Sequence, residues 1–289
     1  MKKIIGLIWC SVGLMAMEPL ITADWLKEAI ADKKVIVIDV SDSESYRREH
    51  IPGSVNAPIG QWRKKQQDHL LVKDKEEIQK LVRDLGIGNQ SRVVVYSHHE
   101  NAKDILKSTY VLWALEYYGL KETALLDGGL PAWKRIQAEV ETTLPTLKKG
   151  DFVAKANSAL VANLQELKDA IGQTQMVDAR PAKYYFGAQK QEMLKRAGHI
   201  PEAKSYFWQY SFEGSHLKKK ETLYKMFVEG LAFEPKKPTI TYCAGGLETS
   251  MNFFILHRLL GFNNIRLYDA SMKEWANRDD VPIVRYKWE

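Results

Sequence analysis

Apolar residues in this chain fall into two kinds of pattern. Short, largely apolar runs rich in Val, Ile or Thr stand at 35–39, 92–96, 176–178 and 239–242. Between them lie longer stretches, at 21–30, 78–85, 108–118, 160–171 and 251–260, in which apolar positions recur every three or four residues. An unbroken run marks a strand buried on both faces, and the longer spacing marks one buried stripe of a helix. Within the fourth helical stretch, Asn163 and Glu166 are spaced as a capping box. Strands that alternate with helices predict an α/β fold on a mostly parallel sheet flanked by helices.

The order of elements occurs twice. Trp25 precedes Asp39 by 14 positions and Leu164 precedes Asp178 by 14, and His-Ile-Pro begins at both His50 and His199. Tyr96 and Tyr242 each close a strand, and Asp127 and Asp269 each head a segment leading to Trp133 and Trp275. Two similar domains, 18–145 and 146–289, explain this economically. The segment 142–157, which carries Pro145 and Gly150 and neither periodicity, is the connector.

The halves differ in two places. From the strand Asp to the next His-Ile-Pro is 11 positions in the first half (39 to 50) and 21 in the second (178 to 199), with the extra residues around Gly187 to Arg196. Where the second half has Cys243 followed by Ala244, Gly245 and Gly246, the first has Ser97 followed by His98 and His99. A shared fold with a reaction confined to the second half is expected.

A length of 289 residues accommodates two such cores. The net charge is +6, but the basic residues are spread out, and the compact run Lys218-Lys-Lys220 reads as a solvated helix face rather than a nucleic-acid site. Lys2 and Lys3 precede an apolar run of 13, Ile4 to Ala16, which has the form of a secretory leader at 1–17 and is short for a membrane span. Export to the periplasm or outside the cell follows, with no stable membrane association once the leader is removed. A cut after Ala16 would leave Leu14 at the −3 position, so an uncleaved N-terminal anchor is the alternative. Cys10 sits in this leader and leaves Cys243 without a disulfide partner, and no ligand spacing suits a metal.

Cys243 stands at a strand end before a glycine-containing loop and a helix start. A curled backbone there aims successive N–H groups at the sulfur, and the helix dipole adds to them; both favour thiolate, and equally a persulfide anion. The competing reading is a small core cysteine packed under the sheet, which would not need Gly245 and Gly246 beside it.

Asp178-Ala-Arg180, Gly198-His-Ile-Pro-Glu-Ala203, the loop Tyr242-Cys-Ala-Gly-Gly-Leu-Glu-Thr249 and Tyr268-Asp-Ala-Ser-Met-Lys-Glu-Trp275 follow one another in this order. In them the chain resembles the tandem-domain rhodanese family, the thiosulfate and 3-mercaptopyruvate sulfurtransferases, from about Leu20 to the C-terminus. The resemblance implies two tandem rhodanese-like domains, the first inactive and the second catalytic. Cys243 would take sulfane sulfur from a small anionic donor as a persulfide and pass it to cyanide or a thiol, including a protein thiol. Arg180 would bind the donor's anionic end, and the loop amides of Ala244, Gly245, Gly246, Leu247, Glu248 and Thr249 would hold the sulfur anion. No metal or organic cofactor is implied. Asp178, Asp269, His50 and His199 read as structural, since similar residues occur in the half without the cysteine, and Trp133 and Trp275 as packing anchors.

The loop departs from the family at Ala244 and Glu248. Thiosulfate-selective members carry basic residues just after the cysteine, and mercaptopyruvate-type members often have Gly-Ser-Gly-Val-Thr. A carboxylate there repels an anionic donor unless it turns outward or pairs with a cation such as Arg180 or Arg196. A cysteine phosphatase is disfavoured because the position six after the cysteine, where its arginine would stand, is Thr249. The non-catalytic alternative is an envelope persulfide carrier or binding module with a drifted loop.

Overall fold

The computed structural model describes residues 16–33 and 35–289. Of the expected leader, 1–15 lie outside the described residues. The first half runs β1 (Leu20–Ile21), α1 (Ala23–Ala31), β2 (Ile36–Asp39), α2 (Ser43–Arg48) and β3 (Val55–Asn56). A hairpin follows, β4 (Arg63–Gln66) and β5 (His69–Val72), then α3 (Lys75–Asp84), β6 (Val93–Tyr96), α4 (Asp104–Tyr117), β7 (Thr123–Leu126) and α5 (Gly129–Arg135). The second half repeats the scheme with α6 (Leu164–Ala170), β8 (Gln175–Asp178), α7 (Ala182–Tyr185) and β9 (Ala203–Ser205). A second hairpin, β10 (Phe212–Glu213) and β11 (His216–Leu217), leads to α8 (Lys220–Tyr224), β12 (Thr239–Tyr242), α9 (Leu247–Phe253), β13 (Ile265–Leu267) and α10 (Ser271–Trp275).

Each half holds one parallel sheet, ordered β1-β7-β6-β2-β3 and β13-β12-β8-β9. A single parallel bridge from Val161 to Leu267 stands where the first sheet has β1. The central strands β6 and β12 are buried along their whole length, as strands covered on both faces must be. In both sheets the chain winds outward from β2 or β8 to one side and then returns to the other. The crevice at the C-terminal ends of β8 and β12 is therefore a switch point, the usual place for a ligand on such a sheet.

The halves share a core in which α4 and α9 pack together, with Thr109 Oγ1 and Ser250 Oγ 2.8 Å apart across the seam. His257 Nε2 and Arg258 Nη1 lie 3.0 and 3.3 Å from the carboxylate of Glu116 in α4. Each half also reaches into the other with its hairpin. Val72 N–H donates to Asp269 Oδ2 at 2.8 Å, and Leu217 N–H to Asp127 Oδ1 at 3.2 Å.

The paired residues play paired roles. His50 Nδ1 lies 2.7 Å from Tyr46 O, and His199 Nδ1 lies 2.8 Å from Tyr185 O, each imidazole stacked on that tyrosine. The hydroxyls of Tyr96 and Tyr242 accept from Ile51 and Ile200 N–H, and the indoles of Trp133 and Trp275 donate to Glu139 and Pro282 carbonyls.

Some elements differ from expectation. The stretch 160–171 is a 3-10 turn, Ser158–Leu160, and then α6, because Asn163 caps the helix by accepting from Glu166 N–H at 3.0 Å. The helix after Cys243 starts at Leu247, ahead of the apolar period at 251–260, and its last turn, Phe254–Leu259, widens to the π type. The connector carries neither helix nor strand over 142–157 but is pinned to the first half through Gly150 N–H to Arg83 O and the buried Phe152.

Candidate active site

Cys243 leaves the sheet at the end of β12, beside the chain leaving β8, where Tyr242 is in register with Asp178. The turn depends on Gly246, at φ 92°, where a β-carbon would lie 2.1 Å from Asp269 Oδ1. Gly245 has open space around its missing β-carbon, so the curl requires one glycine and not two. The turn aims Gly246 N–H at Cys243 Sγ, 3.2 Å away, and the amides of Gly245 and Thr249 also face the sulfur. The Ala244 amide faces Glu248 instead. Leu247 opens α9 and packs against the shared core, and the Thr249 hydroxyl ties α9 to β12 through Thr241 Oγ1 at 2.5 Å.

Ser271, at the start of α10, completes the cradle. Its hydroxyl accepts from Cys243 N–H at 3.1 Å, donates to Tyr268 O at 2.7 Å, and lies 3.8 Å from Sγ. It holds φ 54°, a left-handed backbone that costs a residue with a β-carbon roughly 1–2 kcal/mol. Its match in the first half is Gly129, at φ 55°, where a β-carbon would meet Ser97 O at 2.4 Å. No spacing marks Ser271 as functional. Its signal lies in the repeat, where a serine at positive φ in the half with the cysteine stands in place of Gly129.

The sulfur is enclosed, with Cys243 only 1% exposed. Burial, then the charge of Glu248, push its thiol up to about 11, against the pull of the Thr249 and Gly245 amides and Ser271. This corrects the expectation that the cradle alone favours thiolate: in the closed site, desolvation outweighs the donors. Glu248 is itself 9% exposed, and burial raises its carboxyl to about 7 against the pull of Lys103. Oε1 lies 4.0 Å from Lys103 Nζ, and Oε2 has no hydrogen-bond partner among the described residues. The cations that act on Glu248 are thus Lys103 of the first half, at 4.0 Å, and Arg180 through its charge. Arg196 is elsewhere, donating to the Val281 and Trp275 carbonyls.

Arg180 lies beneath the loop, 1% exposed. Its Nε stands 3.0 Å from both oxygens of Asp178, and its Nη2 donates to Asp178 Oδ2 at 2.6 Å and Gly198 O at 2.7 Å. A buried guanidinium requires such partners. The fork expected to face a donor therefore grips Asp178, while its charge remains close enough to interact with Cys243.

In the first half the equivalent space is filled. His98 Nε2 lies 2.9 Å from Asp39 Oδ2, and the His99 imidazole packs against the position of Gly129. Ser97 Oγ is buried without a hydrogen-bond partner among the described residues. Among the described residues no backbone amide donates to Ser97 Oγ, as Gly246 N–H does to Cys243 Sγ.

Known proteins match both halves of the chain. The rhodanese-like domain family matches the chain twice, at 22–136 and 163–278. A relative from Saccharopolyspora erythraea, provisionally named a thiosulfate sulfurtransferase, is 31% identical over 277 residues, covering 92% of this chain and 96% of that protein. The sulfur carrier protein TtuD of Thermus thermophilus is 30% identical over 290 residues, covering 95% and 99%. Among solved structures, SseA from Escherichia coli, described with the 3-mercaptopyruvate sulfotransferases, matches with a TM-score of 0.78 at 26% identity, covering 88% of this chain and 99% of that one. Two matched domains in tandem, with the cysteine loop in the second, place the chain in the rhodanese family of sulfurtransferases.

Proposed function

We propose that the chain moves sulfane sulfur from a small anionic donor, thiosulfate or 3-mercaptopyruvate, through a persulfide on Cys243 to cyanide or a thiol. With thiosulfate, the Cys243 thiolate attacks the outer sulfur, the sulfur–sulfur bond of the donor breaks, and sulfite leaves. An acceptor then attacks the terminal sulfur of the persulfide and returns the thiolate, so that cyanide becomes thiocyanate. The charge on sulfur is negative before and after the first step, which suits fixed N–H donors. The observation that carries this reading is the Gly246 N–H at 3.2 Å from Sγ, in a loop kept open only by a glycine at 246.

Arg180 serves this chemistry as a buried positive charge, and Glu248, when ionised, restrains anionic donors. The persulfide-carrier reading is favoured by the enclosure of Cys243, which would shield a stored persulfide, and by the likeness to TtuD. Steady-state transfer from both donors to cyanide and to thiols separates the two, with Cys243→Ser as control. Turnover in the wild type and none in the variant supports the enzyme; turnover in the variant excludes Cys243 as the nucleophile.

The leader makes the protein an exported one in this proposal. Met17 is buried, and its N–H donates to Glu122 Oε2 at 2.9 Å, so a cut after Ala16 would set a new ammonium group beside that carboxylate. N-terminal sequencing of the mature protein tests the site.

A further inference from the structure

Arg63 belongs to β4, in the half without the cysteine, yet its buried guanidinium ends on the catalytic loop. Nη2 donates to Gly245 O at 2.6 Å and also to Leu70 O, and stands 3.8 Å from Asp269 Oδ1. The guanidinium carbon lies 4.7 Å from the centre of the Tyr110 ring, and Tyr110 donates to Asp269 Oδ2 at 2.8 Å. Arg63 is thus held by a carboxylate that the first half itself fixes through Val72 N–H and Tyr110.

The Gly245 carbonyl and the Gly246 N–H are the two ends of one planar trans peptide and point in opposite directions. One end is bound by Arg63 at 2.6 Å, and the other donates to Cys243 Sγ at 3.2 Å. A cation on the carbonyl fixes the plane of the peptide and polarises it, which strengthens the N–H as a donor. The missing side chain at 246 makes the arrangement possible, because a β-carbon there would meet Asp269 Oδ1 at 2.1 Å and Arg63 Nη2 at 3.1 Å.

We propose that Arg63 is a positioning residue for the sulfur chemistry: through the Gly245–Gly246 peptide it aims and strengthens the N–H that holds negative charge on Cys243. This deepens the function proposed above and rests on it. The half that lacks a nucleophile has, on this view, a task in the reaction of the other half. The reciprocal hairpin β10–β11 places His216 rather than an arginine beside Asp127, with Nδ1 at 3.1 Å from Oδ2 and Nε2 at 2.8 Å from Arg135 Nη1 of the first half itself, and Ser97 stands where the second half has Cys243. The charged groups around the sulfur are then Arg180, Asp178 and Glu248 of its own half, Lys103 across the seam beside Glu248, and the Arg63–Asp269 pair acting through the peptide.

The test is the pH dependence of iodoacetamide alkylation, read on the Cys243 peptide, in the full chain and in Arg63→Met, Arg63→Lys and the double variant Arg63→Met/Asp269→Asn. The double variant removes the buried carboxylate that the single change would leave without its cation. The apparent thiol pKa is expected to rise by about one unit in Arg63→Met, which slows alkylation about tenfold below the pKa. The double variant should show a rise of the same sign, and lysine should restore part of the loss. For sulfur transfer, kcat should fall about tenfold or more while KM changes less.

A purely structural arginine would lower thermal stability and leave the profile of the folded variants unmoved. A folded Arg63→Met or double variant whose profile superimposes on that of the wild type overturns the proposal. Because alkylation needs no sulfur donor, a wild type that transfers no sulfur counts against the proposed function alone, and the profiles still decide the role of Arg63.

Discussion

Ser271 combines a strained backbone with hydroxyl contacts to Cys243 N–H, Cys243 Sγ and Tyr268 O, and two substitutions separate these contributions. The hydroxyl accepts from the buried Cys243 N–H at 3.1 Å and donates to Tyr268 O at 2.7 Å, on a backbone at φ 54°. Ser271→Ala removes both bonds and keeps the strain. The bond to Tyr268 O contributes roughly 1 kcal/mol, and the buried Cys243 N–H left without its acceptor costs about 1–3 kcal/mol, so a loss of about 2–4 kcal/mol is expected. Ser271→Gly removes the same bonds but restores the residue of the first half at this conformation, and it should be more stable than the alanine variant by roughly 1 kcal/mol. Urea unfolding of the three proteins measures these differences, and alkylation at Cys243 should be slowed alike in both variants. An alanine variant as stable as the glycine variant would refute the strain reasoning. Wild-type alkylation in either would remove Ser271 from the cradle.

Other consequences can be checked independently. Burial keeps Glu248 protonated up to about pH 7, and its charge above that pH opposes the thiolate, so Glu248→Gln should speed Cys243 alkylation several-fold at pH 8. A carboxyl raised from 4.5 to about 7 contributes stability that is complete below 4.5 and lost as pH rises through 7, so the same variant should flatten that decline in unfolding experiments. Glu248→Thr should lower KM for thiosulfate, and an unchanged KM would sink the idea that Glu248 restrains anionic donors. Burial alone would lower the His257 pKa, but Glu116 across the seam raises it above 6.5; its contribution to stability is full below 6.5 and lost as pH rises through the raised value. His257→Gln should therefore be less stable than the wild type at pH 6 and closer to it at pH 9, and a difference independent of pH would exclude the ion pair.

The parallel sheets could be read in the chain because β6 and β12 are buried on both faces and so appear as unbroken apolar runs. The tandem arrangement was readable because His50 and His199, Tyr96 and Tyr242, and Trp133 and Trp275 each make the same bond in both halves. Cys243 was marked by its place at a strand end before Gly246.

What escaped sequence reasoning lies across the seam. Arg63 is 182 positions from Gly245, in a hairpin strand of sequence Arg-Lys-Lys-Gln too polar to show an apolar period. Lys103 meets Glu248 only after α4 and α9 pack together, and the grip of Arg180 on Asp178 depends on a side-chain direction that a motif does not specify. The sign of the Cys243 shift was also hidden, because the amides of the cradle are local whereas its enclosure comes from the whole interface.

The central claim is that Cys243 itself carries the transferred sulfur. Mass spectrometry of the intact protein and of the Cys243 peptide, after incubation with thiosulfate or 3-mercaptopyruvate without acceptor, measures it directly. The expected result is one added sulfur on Cys243 from at least one donor, discharged by cyanide and absent in Cys243→Ser. A protein that turns over either donor while Cys243 gains no sulfur would contradict it.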